Sequence, residues 1–338
     1  MRIGVIGSGS WGTAIAKILT DNGNEISWCV RSNDILEHLQ AKHSNPTYLS
    51  SIEFDLDALQ LTTNPVDVYQ ASDCIVFAVP SEFVASYIDP FIELLSDKII
   101  VSAVKGILPS KNILMNEYLH QVVAADPKNY VAIMGPCHAE EVAAKKLSFL
   151  TFAGVETSLA EKVAIHFKTS YINTIISNDV FGVQYAAILK NVYALGTGIL
   201  QGIGYGDNFQ SVFVANAAGE MQVFLDQFEE ALNAKRTLNQ IGEINYSASV
   251  YLGDLLVTCY SPYSRNRAFG LMIGRGDSVE SASKSLQMVA EGYLASRSIY
   301  ELNIKLGCPM PIALSIYKIL WEGLSPAQAF HHIEQHLV

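Results

Sequence analysis

Residues 2–30 open with Arg2-Ile3-Gly4-Val5-Ile6-Gly7-Ser8-Gly9-Ser10-Trp11-Gly12-Thr13 and close with Asn22-Gly23-Asn24-Glu25-Ile26-Ser27-Trp28-Cys29-Val30. The apolar run Arg2–Ile6 reads as a strand that stops at a cluster of glycines. A helix former rich in Ala and Ile, Thr13–Thr20, follows at once. Asn22-Gly23-Asn24 breaks it, and Glu25–Val30 reads as a second strand. The result is a strand–helix–strand unit with Gly7, Gly9 and Gly12 in GxGxxG spacing at its first turn. Without Cβ atoms the backbone can turn tightly, approach a pyrophosphate and pack helix against strand, while the helix N-terminus supplies free N–H groups and positive partial charge. Three glycines alone could serve structure only. Between a strand and a helix, they predict a dinucleotide-binding unit.

The same grammar recurs downstream. Strands are expected at Cys74–Pro80, Ile99–Gly106 and Tyr130–Pro136. Each is a nearly continuous apolar run halted by Gly or Pro, as parallel strands covered on both faces require. From about Val180 the period becomes 3.6, with helices expected at Tyr185–Leu200, Val212–Glu230, Ser281–Leu302 and Pro311–Leu320; Gln227–Ser247 reads as a helix–loop insertion. The expected fold class is an α/β Rossmann N-terminal domain, residues 1–179, followed by an all-α C-terminal domain, residues 180–338, with the active site in the cleft between them.

Composition excludes several alternatives. The 338 residues are 50% hydrophobic and carry 22 Lys and Arg against 33 Asp and Glu, a net charge of −11. Such a chain repels nucleic acid and anionic membrane overall, although a local basic cluster could still hold a small anion. Its apolar runs are too short to span a bilayer, and the N-terminal glycines interrupt any signal-peptide core. Five scattered cysteines without a CxxC pair point to a reducing compartment, so the protein is expected in the cytoplasm. His331, His332 and His336 lack Cys or Glu at ligand spacing and read as a solvated helix end, with no metal site expected.

Five features carry candidate chemistry. At the end of the second strand a carboxylate would bind the ribose of NAD, whereas an Arg would pair with the extra phosphate of NADP; the chain has Arg31, which favours NADPH. Lys105 follows an apolar strand and could orient a substrate oxygen or simply be a surface lysine. Lys190 shares a helix face with Val183, Ala186, Ala187 and Ala194. A cation there is either desolvated, and so suited to acid–base work, or snorkelling at the edge. Asp254, set among apolar residues, needs a lysine partner or a helix N-terminus to cap. Ser264-Arg265-Asn266-Arg267 suits a phosphate or forms a charged turn.

Taken together, the chain resembles the NAD(P)-dependent glycerol-3-phosphate dehydrogenases of bacterial type. The matching segments are Gly7–Ala14, Val104-Lys105-Gly106, Gly135-Pro136, Leu189-Lys190-Asn191-Val192, Gly204–Asn208, Gly253-Asp254-Leu255, Ser264–Arg267 and Val289-Ala290-Glu291-Gly292, in the family's order over nearly the whole chain. The resemblance implies reversible hydride transfer between sn-glycerol 3-phosphate and NAD(P), giving dihydroxyacetone phosphate and serving phospholipid synthesis. It makes Lys190 the proton acceptor and places Lys105, Gly135, Cys137, Asp254, Ser264, Arg265 and Asn266 against the substrate. The cofactor, NADP or NAD, would meet Gly7, Gly9, Ser10, Trp11, Gly12, Arg31, Lys105, Ala139, Arg265, Val289 and Glu291. A second copy of the chain is a compatible partner. Two departures stand out: Cys137-His138 replaces the family's usual Ser and Phe, and the Lys190–Asp254 interval is longer than usual. A hydroxyacid or opine dehydrogenase, or a dinucleotide-sensing regulator, would share the glycine pattern but has no particular need of the Ser264–Arg267 cluster.

Overall fold

A computed structural model describes residues 1–109, 111–233, 244–286 and 290–338. The chain divides into two compact units, Met1–Val180 and Phe181–Val338.

The first unit is built on one eight-stranded sheet. Its strands are β1 (Ile3–Ile6), β2 (Ile26–Cys29), β3 (Leu59–Thr62), β4 (Cys74–Phe77), β5 (Ile99–Ser102), β6 (Tyr130–Met134), β7 (Ser148–Ala153) and β8 (Ile172–Ser177), in the order β3-β2-β1-β4-β5-β6-β7-β8. Strands β1 to β6 are mutually parallel; β7 runs antiparallel to β6, and β8 parallel to β7. The helices are α1 (Ser10–Asp21), α2 (Asn33–Lys42), α3 (Pro65–Ala71), α4 (Val84–Ile88), α5 (Met115–Tyr118), α6 (Ala139–Ala143) and α7 (Thr157–Ala164). Alternation along β1 sends Ile3 and Val5 into a core with Ile15, Ile18 and Leu19 of α1, while Gly4 turns to the other face, against Val68 of α3. Helices thus cover both faces, which is why β1, β2, β4 and β6 are buried end to end. Between β1 and β4 the strand order reverses, and ligands of such sheets gather at the carboxyl ends beside that point.

Three strands escape the apolar-run criterion. Strand β3 (Leu-Gln-Leu-Thr) is short and half-buried, β7 carries Ser148 and Thr151, and β8 is a partly exposed edge. None shows the continuous hydrophobic run expected of a strand buried on both faces.

The second unit consists of α8 (Val180–Gly202), α9 (Asp207–Asn233), α10 (Asp254–Tyr260), α11 (Arg265–Gly274), α12 (Val279–Leu286), α13 (Glu291–Leu306), α14 (Pro311–Trp321) and α15 (Pro326–Glu334). The single helix expected over Ser281–Leu302 is corrected: Ala290 is extended, at ψ 106°, and α13 opens afresh after it at Glu291. Gln227–Asn233 of the expected insertion belongs to α9, and residues 234–243 lie outside the described residues. Helix α8 is the hub, buried without a break from Gly182 to Leu200. Helix α11 approaches it backbone to backbone: a Cβ at Gly198 would stand 2.0 Å from the Arg267 carbonyl oxygen, and one at Gly270 would stand 2.0 Å from that of Leu195. Only glycine permits that spacing.

Candidate active site

The glycine turn in the first unit divides its work among three residues. Gly7 takes φ +117°, and a Cβ there would stand 2.5 Å from the Ala78 carbonyl oxygen; a Cβ at Gly12 would stand 2.4 Å from the Gly7 oxygen. These two let β1, β4 and α1 close on one another. Gly9 faces open space instead, and it is the N-cap of α1 without a side-chain hydrogen bond or an acidic residue in the first turn. That leaves the helix N-terminus without a side-chain acceptor among the described residues and sterically open at Gly9, the features a pyrophosphate requires.

Supports for this turn come from far along the chain. Trp28, fully buried on β2, donates from Nε1 to the Gly7 carbonyl at 2.8 Å. Asn45, also fully buried, donates to Ser8 O at 3.0 Å and Thr13 Oγ1 at 2.9 Å. Neither residue was singled out from the sequence, because only the fold carries them to the turn. The backbone N–H of Arg31 donates to Ser8 Oγ at 3.0 Å, which fixes Arg31 beside the turn with its side chain exposed. Lys105, just beyond β5, holds its ammonium 5.0 Å from the centre of the Trp11 ring, a cation–π contact. Gly7, Gly9, Ser10, Trp11, Gly12, Arg31 and Lys105 therefore form one cluster at the switch point.

The segment after β6 behaves differently. Gly135 takes φ +135°, and the Cys137 thiol, 6% exposed, donates to the Phe149 carbonyl on β7 at 3.2 Å. The thiol is thus spent within the fold, where a weak S–H donor loses little. Ala139 is buried at the start of α6, which packs on α1.

In the second unit the central feature is an ion pair. Lys190 Nζ donates to Asp254 Oδ1, with Lys190 5% and Asp254 1% exposed. The face-based reading of Lys190 needs amending, since α8 is buried all round and an apolar face distinguishes nothing; burial itself is correct. Asp254 begins α10 directly after a π-helical turn, Ser249–Gly253, and of the two readings left open for it the lysine partner holds, since its side chain caps no helix N-terminus among the described residues. Its other oxygen, Oδ2, has no hydrogen-bond partner among the described residues. Removing either partner would leave the other charge buried without its counter-ion. Nearby, burial pushes the Cys259 thiol up to about 12, so the group is neutral and leaves the charge balance to Lys190 and Asp254.

The Ser264–Arg267 cluster resolves into separate duties. Ser264 caps α11, its Oγ accepting from Arg267 N at 3.3 Å. Asn266 donates to Asn191 Oδ1 at 2.9 Å and accepts from Gly292 N at 2.9 Å, while Asn191 reaches Glu291 Oε2 at 3.5 Å. Arg267 turns back to Gln201 on α8, Nη2 to Oε1 at 3.0 Å. Arg265 alone is exposed, at the first position of the helix, where an anion would meet both a guanidinium and the helix N-terminus. The pairings place Asn191, the neighbour of Lys190, against Asn266 and Glu291. Val289 lies outside the described residues. No group of three or more potential metal ligands occurs among the described residues, and none of their helices is long and apolar enough to cross a membrane.

A doubly wound sheet with an open glycine turn, followed by a helical unit built round a buried lysine–aspartate pair, defines a dinucleotide-binding protein of Rossmann type. The family models described as NAD-dependent glycerol-3-phosphate dehydrogenase N-terminus and C-terminus match residues 2–160 and 179–331. A glycerol-3-phosphate dehydrogenase [NAD(P)+] of Pelodictyon phaeoclathratiforme is 34% identical over 333 residues, covering 97% of this chain and 96% of that one; its counterpart in Streptococcus uberis is 31% identical over 324 residues, covering 95% and 92%. The crystal structure of glycerol-3-phosphate dehydrogenase from Coxiella burnetii superposes with a TM-score of 0.88 at 25% identity, covering 98% of each chain. The chain belongs to the NAD-dependent glycerol-3-phosphate dehydrogenase family.

Proposed function

We propose that this chain interconverts sn-glycerol 3-phosphate and dihydroxyacetone phosphate, with NAD(P) as the second reactant. The observation that carries the reading is the buried Lys190–Asp254 pair, in a chain of this family whose glycine turn is open to a dinucleotide. When bound, the nicotinamide ring supplies or accepts the hydride at the carbinol carbon. Lys190 handles the proton: its ammonium gives one to the carbonyl oxygen during reduction, and its amine takes one from the secondary hydroxyl during oxidation. Asp254 Oδ1 holds the ammonium in place, and Oδ2 is left to accept a hydrogen bond from a substrate hydroxyl.

In the same reading the phosphate lies at the start of α11 against Ser264, Arg265 and Asn266, of which Arg265 alone is exposed. Lys105 serves both reactants, with Gly135 and Cys137 shaping the substrate side through backbone. The first-turn amides after Gly9 take the pyrophosphate, and Ser10, Trp11, Ala139, Val289 and Glu291 complete the dinucleotide contacts. Exposed Arg31, with no carboxylate at the end of β2, favours the 2′-phosphate of NADPH. A cytoplasmic location agrees with five buried free thiols, a homodimer is the assembly to test by sedimentation, and the glycerol phosphate formed would feed phospholipid synthesis.

Initial rates decide the reading. Dihydroxyacetone phosphate should drive oxidation of NADPH, and of NADH more weakly. Faster turnover of a carboxylate substrate, or tight NADPH binding with no turnover, would overturn it.

A further inference from the structure

Helix α9 carries a carboxylate where its apolar stripe should be unbroken. Phe213, Ala217, Glu220 and Phe224 recur at helical spacing and are all buried, Glu220 being 7% exposed. Three donors from two other helices converge on it. Glu220 Oε2 accepts from Ile312 N at 2.7 Å; Oε1 accepts from Ala313 N at 2.9 Å and from Tyr193 Oη at 3.1 Å. Ile312 and Ala313 are first-turn residues of α14, whose own N-cap, Met310, makes no side-chain hydrogen bond. Glu220 therefore caps α14 from a different helix and ties the same oxygen to α8. Burial pushes its carboxyl up to about 7, against the pull of the three donors.

Tyr193 is fully buried and lies one turn beyond Lys190 on α8. Residues three apart lie on neighbouring parts of one helix face, so the bond that holds Tyr193 is one of the contacts that fix the roll of the turn that carries Lys190. The lever is long. A side-chain nitrogen about 6 Å from the helix axis moves about 0.5 Å when the helix rolls by about 5°. Such a shift would disturb the register of Nζ with Asp254, and misplacement on that scale is costly in proton transfer.

We infer that Glu220, acting through Tyr193, is a positioning residue that holds Lys190 in line with Asp254. The inference deepens the proposed role of Lys190 and rests on it. Glu220 reaches neither reactant in this account; it fixes the bearing of the group that does.

Two variants test it with dihydroxyacetone phosphate and NADPH. Tyr193→Phe deletes one hydroxyl and leaves Glu220 its two amide donors. It should lower kcat about tenfold, raise the solvent deuterium isotope effect on kcat as proton transfer becomes limiting, and leave the KM for NADPH unchanged. Glu220→Gln keeps one carbonyl oxygen as acceptor and should show a smaller change of the same kind. If Glu220→Gln does not fold, Tyr193→Phe decides alone. A Tyr193→Phe enzyme with a lower Tm but unaltered kcat and isotope effect would overturn the inference while leaving the function intact. A wild-type chain inactive on this substrate would overturn the functional reading and the inference with it.

Discussion

The glycine turn after β1 and the lysine pair on α8 solve opposite problems. At the turn, chemistry depends on what is missing: no Cβ at Gly9, no side-chain cap on α1, no acidic residue in its first turn. The site is open, and backbone N–H groups carry the charge. On α8 the chemistry depends on what is enclosed, because Lys190 and Asp254 lie 64 residues apart and meet where water is excluded. A binding site for a large anion can stay wet and local. A group proposed to transfer a proton has to be fixed, and the Lys190–Asp254 pair is fixed by long-range packing.

That contrast predicts different failures on the two sides. The largest effect belongs to Asp254→Ala, which leaves a buried ammonium without its counter-charge; stability should fall by about 3–5 kcal/mol, read by denaturant unfolding. Unchanged stability would mean that the pair is hydrated. Next, Arg31→Ser should raise the KM for NADPH by roughly 10–100-fold, the worth of a charged hydrogen bond, and leave that for NADH alone. Equal effects on both cofactors would remove the assignment of the 2′-phosphate. Smallest is a split within the turn itself. Gly12→Ala forces a Cβ against the Gly7 carbonyl and should cost about 1–3 kcal/mol of stability. Gly9→Ala should leave stability within about 0.5 kcal/mol yet weaken dinucleotide binding, seen by fluorescence titration.

How much of this is legible in the chain follows the same divide. Gly7, Gly9 and Gly12 lie within six residues between a strand and a helix, so their spacing states their purpose. The position of Arg31 beside the turn is legible because it follows the end of β2. Strands β3, β7 and β8 are not, since they are short, polar in part or set at an edge, and lack the signal that marks a fully buried strand. For Lys190 the sequence leaves a desolvated cation and a snorkelling one both open, and nothing local joins it to Asp254. For the Ser264–Arg267 cluster, composition leaves a phosphate-binding set and a charged turn both open, and the fold spends Asn266 on Asn191 and Gly292 and Arg267 on Gln201. Glu220 does leave a trace, a carboxylate at an apolar position of the α9 stripe, and that signal could have found it.

The central claim is that Lys190 moves the proton while the glycine turn holds the dinucleotide. Its most direct test is single-turnover reduction of dihydroxyacetone phosphate by the Lys190→Ala variant, alongside NADPH titration of the same preparation. The account predicts a rate lower by about 10³-fold with NADPH affinity retained. Turnover at the wild-type rate would contradict it.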